Sequence, residues 1–244
     1  MKIAVLSDIH GNIAALDAVL AHPACLSADL IVNLGDICSG PLWPSETADR
    51  LMALNFPTIR GNHERQLEDP IDRMGLSDKH AYMALRDDQL KWLAGLPPTL
   101  RLSADVLMVH GTPDSDLMCF LETVTESGIR PATIDEVRDR AGQCETKLVL
   151  CGHTHIPRAV QLDDGCLIVN PGSVGLQAYA DDHPFPHLVE NDTPHARFAV
   201  VSNDAGPWEV SFYLVAYDWN ETAKVAAANG RDDWAIALRK GWMQ

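Results

Sequence analysis

The chain has 244 residues, a length that fits one large domain or one domain with a small insertion. Hydrophobic residues make up 46% and charged residues 22% of it, which excludes a disordered chain, a collagen-like repeat and a coiled coil. The 34 acidic residues outnumber the 19 basic residues, and the formal charge of −15 disfavours nonspecific binding to the backbone of DNA or RNA.

The sequence predicts neither a membrane span nor a secretion signal. No stretch approaches the ~20 apolar residues that a membrane helix needs. The opening residues MKIAVLSDIHGN carry an apolar run of four residues before Asp8, which favours a buried strand and therefore a cytoplasmic protein. The cysteines form no C-x-x-C pair and are predicted to be reduced and buried. They are Cys25, Cys38, Cys119, Cys144, Cys151 and Cys166.

In the first half of the chain, short apolar runs alternate with helical patterns. The runs at 3–6, 30–34 and 57–59 predict strands, and the patterns at 13–21 and 45–54 predict helices. This alternation is typical of βαβ units and a largely parallel sheet. Residues 64–95 have no strand pattern and predict a small helical insertion, with helix starts at Ser77 and at Asp87 or Asp88.

From residue 99 onwards, closely spaced strands replace this alternation. They are predicted at 100–102, 106–109, 148–150, 159–162 and 167–169, with a turn at 163–165. A C-terminal hairpin and one or two helices are expected over about 195–244, with Asn220 or Thr222 as a helix cap. The predicted architecture is a single α/β domain over residues 1–244 that is built on two sheets.

Five predicted strand ends run directly into turns rich in glycine and in metal-binding side chains. These are SDIHGN at 7–12, LGD at 34–36, RGNHE at 60–64, VHGT at 109–112 and CGHTH at 151–155. Ligands of open α/β sheets bind at the carboxyl ends of strands, so we expect the five turns to meet at one rim. Asp8 and His10 are two residues apart, as are His153 and His155, and an extended chain would point both members of each pair the same way.

The side chains of these turns form a mixed nitrogen and oxygen donor set without thiolates. The candidates are Asp8, His10, Asp36, Asn62, His110, His153 and His155. Such donors suit Mn, Fe, Zn, Co or Ni better than Cu(I), Ca or Mg. Seven donors exceed the need of one ion, whereas two ions that share Asp36 would have four protein ligands each. Two ions ~3.5–4 Å apart generate a hydroxide near neutral pH and hold both oxygens of an in-line phosphoryl displacement.

The ordered set D-x-H, G-D, G-N-H-E and G-H-T-H, with His110 between the last two, resembles the calcineurin-like metallophosphoesterase family. The stretches SDIHGNIAALDAVL, GDICSGP and NPGSVG most resemble its small bacterial phosphodiesterase branch. These motifs lie between residues 5 and 175. The resemblance implies a four-layer α/β/β/α sandwich, in which two mixed sheets pack face to face and helices lie outside.

The same resemblance implies roles for individual residues. One metal would be held by Asp8, His10, Asp36 and His155, and the other by Asp36, Asn62, His110 and His153. His63 resembles the proton donor or transition-state stabiliser of the family, and imidazole titrates near the working pH. The protein serine/threonine phosphatase branch has an Asp-Arg-Gly stretch where this chain has ICSGP at 37–41. The carboxylate that would orient His63 is therefore unassigned.

These observations predict a phosphoesterase that contains two divalent transition-metal ions, with Mn ahead of Fe, Zn, Ni or Co. A metal-bridging hydroxide would attack the phosphorus of a small organic phosphodiester or nucleotide. Asn12 and Arg60 are candidate substrate contacts, although Asn12 could equally cap the helix that follows it. Specificity is expected to lie in residues 64–95 and 176–195.

Two other interpretations are kept open. Arg60 and Glu64 favour a protein phosphatase or a dinucleoside-polyphosphate hydrolase with the same metals. The second alternative is a non-catalytic scaffold of the same fold, which would require missing ligands. His183, His187 and His195 flank a proline-rich loop, and they are expected to be solvated side chains instead of a third metal site.

Overall fold

The computed structural model describes residues 1–142 and 145–244. The strands are β1 (Lys2–Leu6), β2 (Leu30–Asn33), β3 (Thr99–Ser103), β4 (Val106–Val109), β5 (Glu122–Thr125), β6 (Gly128–Pro131), β7 (Leu148–Leu150), β8 (Arg158–Gln161), β9 (Leu167–Asn170), β10 (Ala178–Asp181), β11 (His187–Glu190), β12 (Ala196–Ser202) and β13 (Glu209–Val215). The helices are α1 (Ile13–Leu20), α2 (Pro23–Leu26), α3 (Pro44–Leu54), α4 (Asn62–Gln66), α5 (Leu76–Ala84), α6 (Asp87–Ala94), α7 (Ile134–Ala141), α8 (Trp219–Ala228) and α9 (Asp232–Lys240).

Two mixed β-sheets organise the described part of the chain. The first has the strand order β13-β12-β1-β2, in which β1 and β2 run parallel and the other neighbours run antiparallel. The second has the order β3-β4-β7-β9-β8, in which the three central strands run parallel and both edge strands run antiparallel. The loops that follow the parallel strands carry the site described below.

The two sheets pack face to face because their central strands are apolar on both sides. In β1, Ile3 lies in the core between the sheets, whereas Ala4 points to an outer helical layer. In β7, Leu150 lies in the same inner core and Val149 points outwards. This alternation with a period of two is what a strand buried on both faces requires.

Helices cover the outer face of each sheet. Leu16 of α1, Leu51 of α3 and Leu93 of α6 belong to the apolar cluster on the outer face of the first sheet. Val137 of α7 belongs to the cluster on the outer face of the second sheet. These layers, with α5 and α6 inside the expected insertion, confirm the predicted α/β/β/α fold class.

The differences from the predicted elements have local causes. Residues 57–59 make one parallel bridge to the end of β2 and no strand, since the proline at their start has no N–H to donate. The cap of α8 is Asp218, whose carboxylate accepts from the backbone N–H of Glu221 at 3.1 Å. The predicted caps Asn220 and Thr222 are therefore wrong, because both lie inside the helix.

The described helices include none that is both long enough and apolar enough to span a bilayer. The described cysteines form no disulfide with one another. Four of them are buried and Cys119 is partly exposed, while Cys144 lies outside the described residues. The expectation of buried structural thiols is thus confirmed for Cys25, Cys38, Cys151 and Cys166.

Candidate metal centre

The loops that follow β1, β2, β4 and β7 meet at one edge of the two sheets, and backbone hydrogen bonds join them. The N–H of His10 donates to the carbonyl of Asp36 at 3.0 Å, and the N–H of Gly152 donates to the carbonyl of His110 at 2.7 Å. A Cβ at position 152 would overlap the side chain of Ser7, so only glycine permits this close approach. The loops bring the seven predicted donors into two neighbouring groups.

The first group consists of Asp8, His10 and His155. The Nδ1 atom of His10 donates to the carbonyl of Ser39 at 2.8 Å, and that of His155 donates to the carbonyl of Leu176 at 2.7 Å. A carbonyl only accepts, so each neutral ring carries its proton on Nδ1 and presents a lone pair at Nε2. These two Nε2 atoms lie 3.1 Å apart, and the His155 atom lies 3.5 Å from Oδ1 of Asp8.

The second group consists of Asp36, His110 and His153, with Asn62 beside it. The Nδ1 atom of His110 donates to a backbone carbonyl at 2.8 Å, which leaves a lone pair at Nε2 of the neutral ring. That Nε2 atom lies 3.1 Å from Oδ2 of Asp36 and 3.1 Å from Oδ1 of Asn62. His153 uses its Nε2 atom to bind another backbone carbonyl at 3.0 Å, so its Nδ1 atom is the one left for the group.

Acceptor atoms therefore face acceptor atoms in both groups, and such an arrangement needs a cation or an added proton. Burial by itself lowers the pKa of His110, but Asp36 outweighs burial and raises the pKa to about 10. In the first group, burial and the neighbouring His155 lower the pKa of His10 to about 4, so that ring keeps its lone pair. Imidazole nitrogens with carboxylate and amide oxygens fit divalent transition-metal ions.

Backbone strain is concentrated at these donors. Of the seven described non-glycine residues with a positive φ, five are candidate ligands, namely Asp8, His10, Asp36, His153 and His155. Each such position costs about 1–3 kcal/mol and persists only where surrounding contacts hold it. The extended geometry predicted for the two D-x-H and H-x-H pairs is therefore wrong. Left-handed turns instead send His153 and His155 into different groups.

Glu64 holds together the two loops that carry Asp36 and Asn62. Its carboxylate accepts from the backbone N–H groups of Asp36 and Ile37 at 2.8 Å each and from that of Gly61 at 2.9 Å. Its side chain is buried, with the residue 1% exposed, so it is not available to a substrate. The acidic end of G-N-H-E thus has a structural role, which removes one of the two reasons for favouring a protein phosphatase.

The candidate acid His63 has a buried partner that the sequence did not identify. Its Nδ1 atom lies 2.7 Å from Oδ1 of Asp78, which is 4% exposed in the first turn of α5. Burial by itself lowers the pKa of His63, but Asp36 and Asp78 outweigh it and raise the pKa to about 9. The two carboxylates therefore favour the charged form of the ring. Asp78 lies 15 residues beyond His63 among other acidic residues, so its sequence signal was weak.

The two predicted substrate contacts, Asn12 and Arg60, bind other groups of the protein. Asn12 is fully buried, and its Oδ1 atom accepts from the N–H of Ala15 at 3.1 Å and so caps α1. Its Nδ2 atom donates to the carbonyl of Gly175 at 2.9 Å. Arg60 pairs with Glu68 at 3.2 Å. Neither Asn12 nor Arg60 lines the cavity in front of the two donor groups.

That cavity has a volume of about 660 Å³ and is lined by donors of both groups together with His63. Many of its other lining residues come from the insertion, from β10, and from α9 with the residue before it. They include Gln66, Ser77, Tyr179, Asp181, Arg231, Asp233 and Trp234. The contribution of α9 was not predicted, since specificity was expected in residues 64–95 and 176–195 alone. The ring of Trp234 packs edge-on against His10, with centroids 5.9 Å apart.

The histidines around the proline-rich loop do not form a third group. His183 is solvated, with its side chain 91% exposed. The expectation of solvated side chains is wrong for the other two. His187 is buried and its Nδ1 atom donates to the carbonyl of Phe185 at 2.9 Å, whereas His195 is partly buried with its ring packed against Trp219. Within residues 1–142 and 145–244, the clusters of three histidine, cysteine, aspartate or glutamate donors are the two described above.

Comparison with known proteins places this site in a family. The model of the calcineurin-like phosphoesterase superfamily domain matches residues 1–189, a range that contains all seven candidate donors. An uncharacterized protein of Methanocaldococcus jannaschii is 27% identical over 183 residues, which cover 71% of this chain and 70% of that protein.

Two crystal structures share the fold over almost the whole chain. A metallophosphoesterase from Sphaerobacter thermophilus is 24% identical with a TM-score of 0.74, and the match covers 98% of each chain. A hypothetical protein from Pyrococcus horikoshii OT3 is 21% identical with a TM-score of 0.77, and the match covers 100% of this chain and 99% of that one. The family match over residues 1–189 shows that the chain belongs to the calcineurin-like phosphoesterase superfamily.

Proposed function

We propose that this protein is a phosphoesterase with two divalent transition-metal ions, and that it hydrolyses a small organic phosphodiester or nucleotide. The observation that carries the proposal is the geometry of the two candidate ligand groups, whose facing nitrogen and oxygen atoms are hydrogen-bond acceptors and which open onto one cavity beside His63. Family membership supports the reaction class. When bound, the ions supply an activated water near neutral pH and positive charge for the phosphoryl oxygens.

The proposed ligands divide as the two groups do, with Asp36 shared. One ion would be held by Asp8, His10, Asp36 and His155, and the other by Asp36, Asn62, His110 and His153. The carbonyls that accept from the Nδ1 atoms of His10, His110 and His155 fix the ring orientation and make the opposite nitrogen more basic. Mn is the first metal to test, because mixed nitrogen and oxygen donors suit it.

His63 is proposed to donate a proton to the departing alcohol. Its Nδ1 atom is bound to Asp78, so Nε2 is the atom that can give up a proton in the cavity. Asp78 orients the ring and stabilises its charged form, which is the role of a positioning residue. Neither His63 nor Asp78 is proposed to act as a nucleophile.

The cavity supports a small-molecule substrate. Its volume of about 660 Å³ lies within the ~300–1,000 Å³ of typical small-ligand sites. Its walls include residues of α5, β10 and α9, so a bound substrate would have protein on several sides. Because the C-terminal helices help to form this wall, we propose that residues 1–244 act as one metallophosphoesterase domain.

The proposal is tested with chelated protein that is reloaded separately with Mn, Zn, Ni or Mg. Each form is assayed on bis(p-nitrophenyl) phosphate, a cyclic nucleotide, a dinucleoside tetraphosphate and a phosphopeptide. We expect chelation to abolish hydrolysis of the diester or nucleotide and Mn to restore it. The Asp36→Ala variant should be inactive, whereas Asp17→Ala, which removes an exposed aspartate of α1, should retain wild-type activity.

Three results would contradict the proposal. A far larger kcat/KM for the phosphopeptide would favour a protein phosphatase, and one for the tetraphosphate would favour a dinucleoside-polyphosphate hydrolase. Folded protein without turnover under any metal loading would support the non-catalytic scaffold.

A further inference from the structure

The junction between α8 and α9 adds a cation to the cavity. Arg231 immediately precedes α9, and its side chain is 18% exposed where it lines the cavity. Among the lining residues that the structure describes, Arg231 is the one lysine or arginine. It lies outside the family match over residues 1–189.

The guanidinium of Arg231 is held in a fixed orientation. Its Nε and Nη2 atoms donate to the carboxylate of Asp233 at 2.9 and 2.6 Å, and its Nη1 atom donates to Oγ of Ser77 at 2.8 Å. Its Cζ atom lies 5.6 Å from the ring centroid of Trp234. These contacts use three of the five N–H groups, which leaves one on each Nη atom for a ligand. A guanidinium with a fixed plane suits the binding of a carboxylate or phosphate.

Arg231 and the candidate acid are held by adjacent residues of α5. Ser77 accepts from Arg231, and Asp78 binds His63 at 2.7 Å. Both Arg231 and His63 line the cavity and both contact α5, so we place them along the wall that α5 forms. Because His63 would protonate the departing alcohol, the alcohol is the part of the substrate that lies towards this wall.

We infer that Arg231 is a specificity-determining residue that binds a phosphate or carboxylate carried by the leaving alcohol. The substrate class is then a phosphoester whose alcohol has a second anionic group. Asp233 offsets part of the positive charge, so the contribution of Arg231 is directional hydrogen bonding more than long-range attraction. This inference rests on the proposed phosphoesterase function and narrows its substrate.

The test uses three methyl aryl phosphodiesters with the Mn-loaded protein. Their leaving groups are 3-hydroxybenzoate, 3-(phosphonomethyl)phenol and the neutral 3-hydroxybenzamide, so the first two distinguish a carboxylate from a phosphate-like anion. We expect kcat/KM for one or both anionic esters to exceed that for the amide at least about tenfold. Arg231→Gln should lower the anionic values about 10- to 100-fold, the usual worth of hydrogen bonds to charged groups, and Arg231→Lys should be intermediate.

The matched control is Arg239→Gln, which removes the same charge from an exposed position of α9 and should keep the wild-type ratios. A second readout is calorimetric titration of metal-free protein with 3-hydroxybenzoate, whose binding should exceed that of 3-hydroxybenzamide and weaken in Arg231→Gln. This comparison does not depend on turnover.

Equal kcat/KM values for the three esters with the wild-type protein overturn the inference. This result does not depend on whether any variant folds. An equal loss for all three esters in Arg231→Gln also overturns it, because that pattern means only that Arg231 ties α5 to α9. Hydrolysis without discrimination leaves the proposed function in place. The absence of hydrolysis of every ester with every metal overturns the proposed function and this inference together.

Discussion

The Nδ1 atom of His63 and the Oδ1 atom of Asp78 lie 2.7 Å apart, and this hydrogen bond joins the G-N-H-E loop to the helical insertion. The ICSGP stretch at 37–41 has no carboxylate that could orient His63. The chain supplies one from α5 instead, at a position where Asp78 is buried. The candidate acid and its positioning residue therefore come from different elements, and the packing of α5 determines their geometry.

Asp78→Asn is expected to lower kcat about 10- to 100-fold on an ester with an alkyl leaving group. Because Asp78 raises the pKa of His63, its loss should also move the alkaline limb of the pH profile to lower pH. The decrease in kcat should be smaller on a p-nitrophenyl ester, because p-nitrophenolate departs without needing a proton. Measuring kcat against pH for both esters checks these effects.

Asp72→Asn is the matched control, since it removes an exposed carboxylate from the same insertion. It should leave both pH profiles unchanged. If Asp78→Asn keeps full activity and the wild-type alkaline limb, His63 is not positioned by Asp78.

The donor groups could be predicted because each donor follows a strand end within a short motif. Glycines in these turns are needed for close approach, as at Gly61, where a Cβ would overlap the carboxylate of Asp36. The motif alone did not give the local backbone, since a pattern of alternate residues is equally compatible with extended chain and with left-handed turns. His10 adopts the left-handed conformation, with φ at 52°.

The walls of the cavity were less predictable, because tertiary packing and not local spacing brings them to the site. Trp234 lies in the last helix of the chain and packs against His10, which is near the start of the sequence. The β10–β11 ribbon has strands of four residues with mixed burial, which give a weak periodic signal. Helix α7 was not predicted either, although its capping box from Thr133 to Glu136 can be read from the sequence.

The number of ions bound per chain should distinguish variants of the first donor group from variants of the shared Asp36. His155→Ala is expected to lose one of two ions per chain, since it removes a donor of the first group. Asp36→Ala should lose both, because this carboxylate is proposed to be shared. Elemental analysis after equilibrium dialysis against Mn measures the content, and circular dichroism checks the fold.

His183→Ala is the control for these variants, because His183 is solvated and belongs to neither donor group. It should retain two ions. One ion per chain in the wild-type protein at saturating Mn would contradict the dinuclear assignment.

Glu64→Ala is expected to lower the free energy of unfolding by about 3 kcal/mol or more. The variant leaves the backbone N–H groups of Asp36, Ile37 and Gly61 without their acceptor, and each buried unpaired group costs about 1–3 kcal/mol. Urea unfolding of the metal-free protein measures the change. Glu68→Ala removes an exposed carboxylate and should change stability little, so equal effects of the two variants would be evidence against this role.

The histidines of the site should make the metal-free protein less stable on both sides of about pH 6.5. Despite burial, Asp36 raises the pKa of His63 to about 9 and that of His110 to about 10. Their contribution to stability is complete below the unfolded pKa of about 6.5 and is lost as pH rises through the folded values. Burial lowers the pKa of His10 and His153 to about 4, so their contribution is present above pH 6.5 and is lost as pH falls through 4.

Urea unfolding in chelator between pH 4 and pH 10 tests this pH dependence of the free energy of unfolding. His110→Gln should flatten the alkaline side, because the variant has no imidazole to lose a proton there. Mn should oppose the alkaline loss in the wild-type protein, since a bound cation replaces the proton between His110 and Asp36. A free energy of unfolding that rises steadily from pH 7 to pH 10 in chelator would show that no such proton is held.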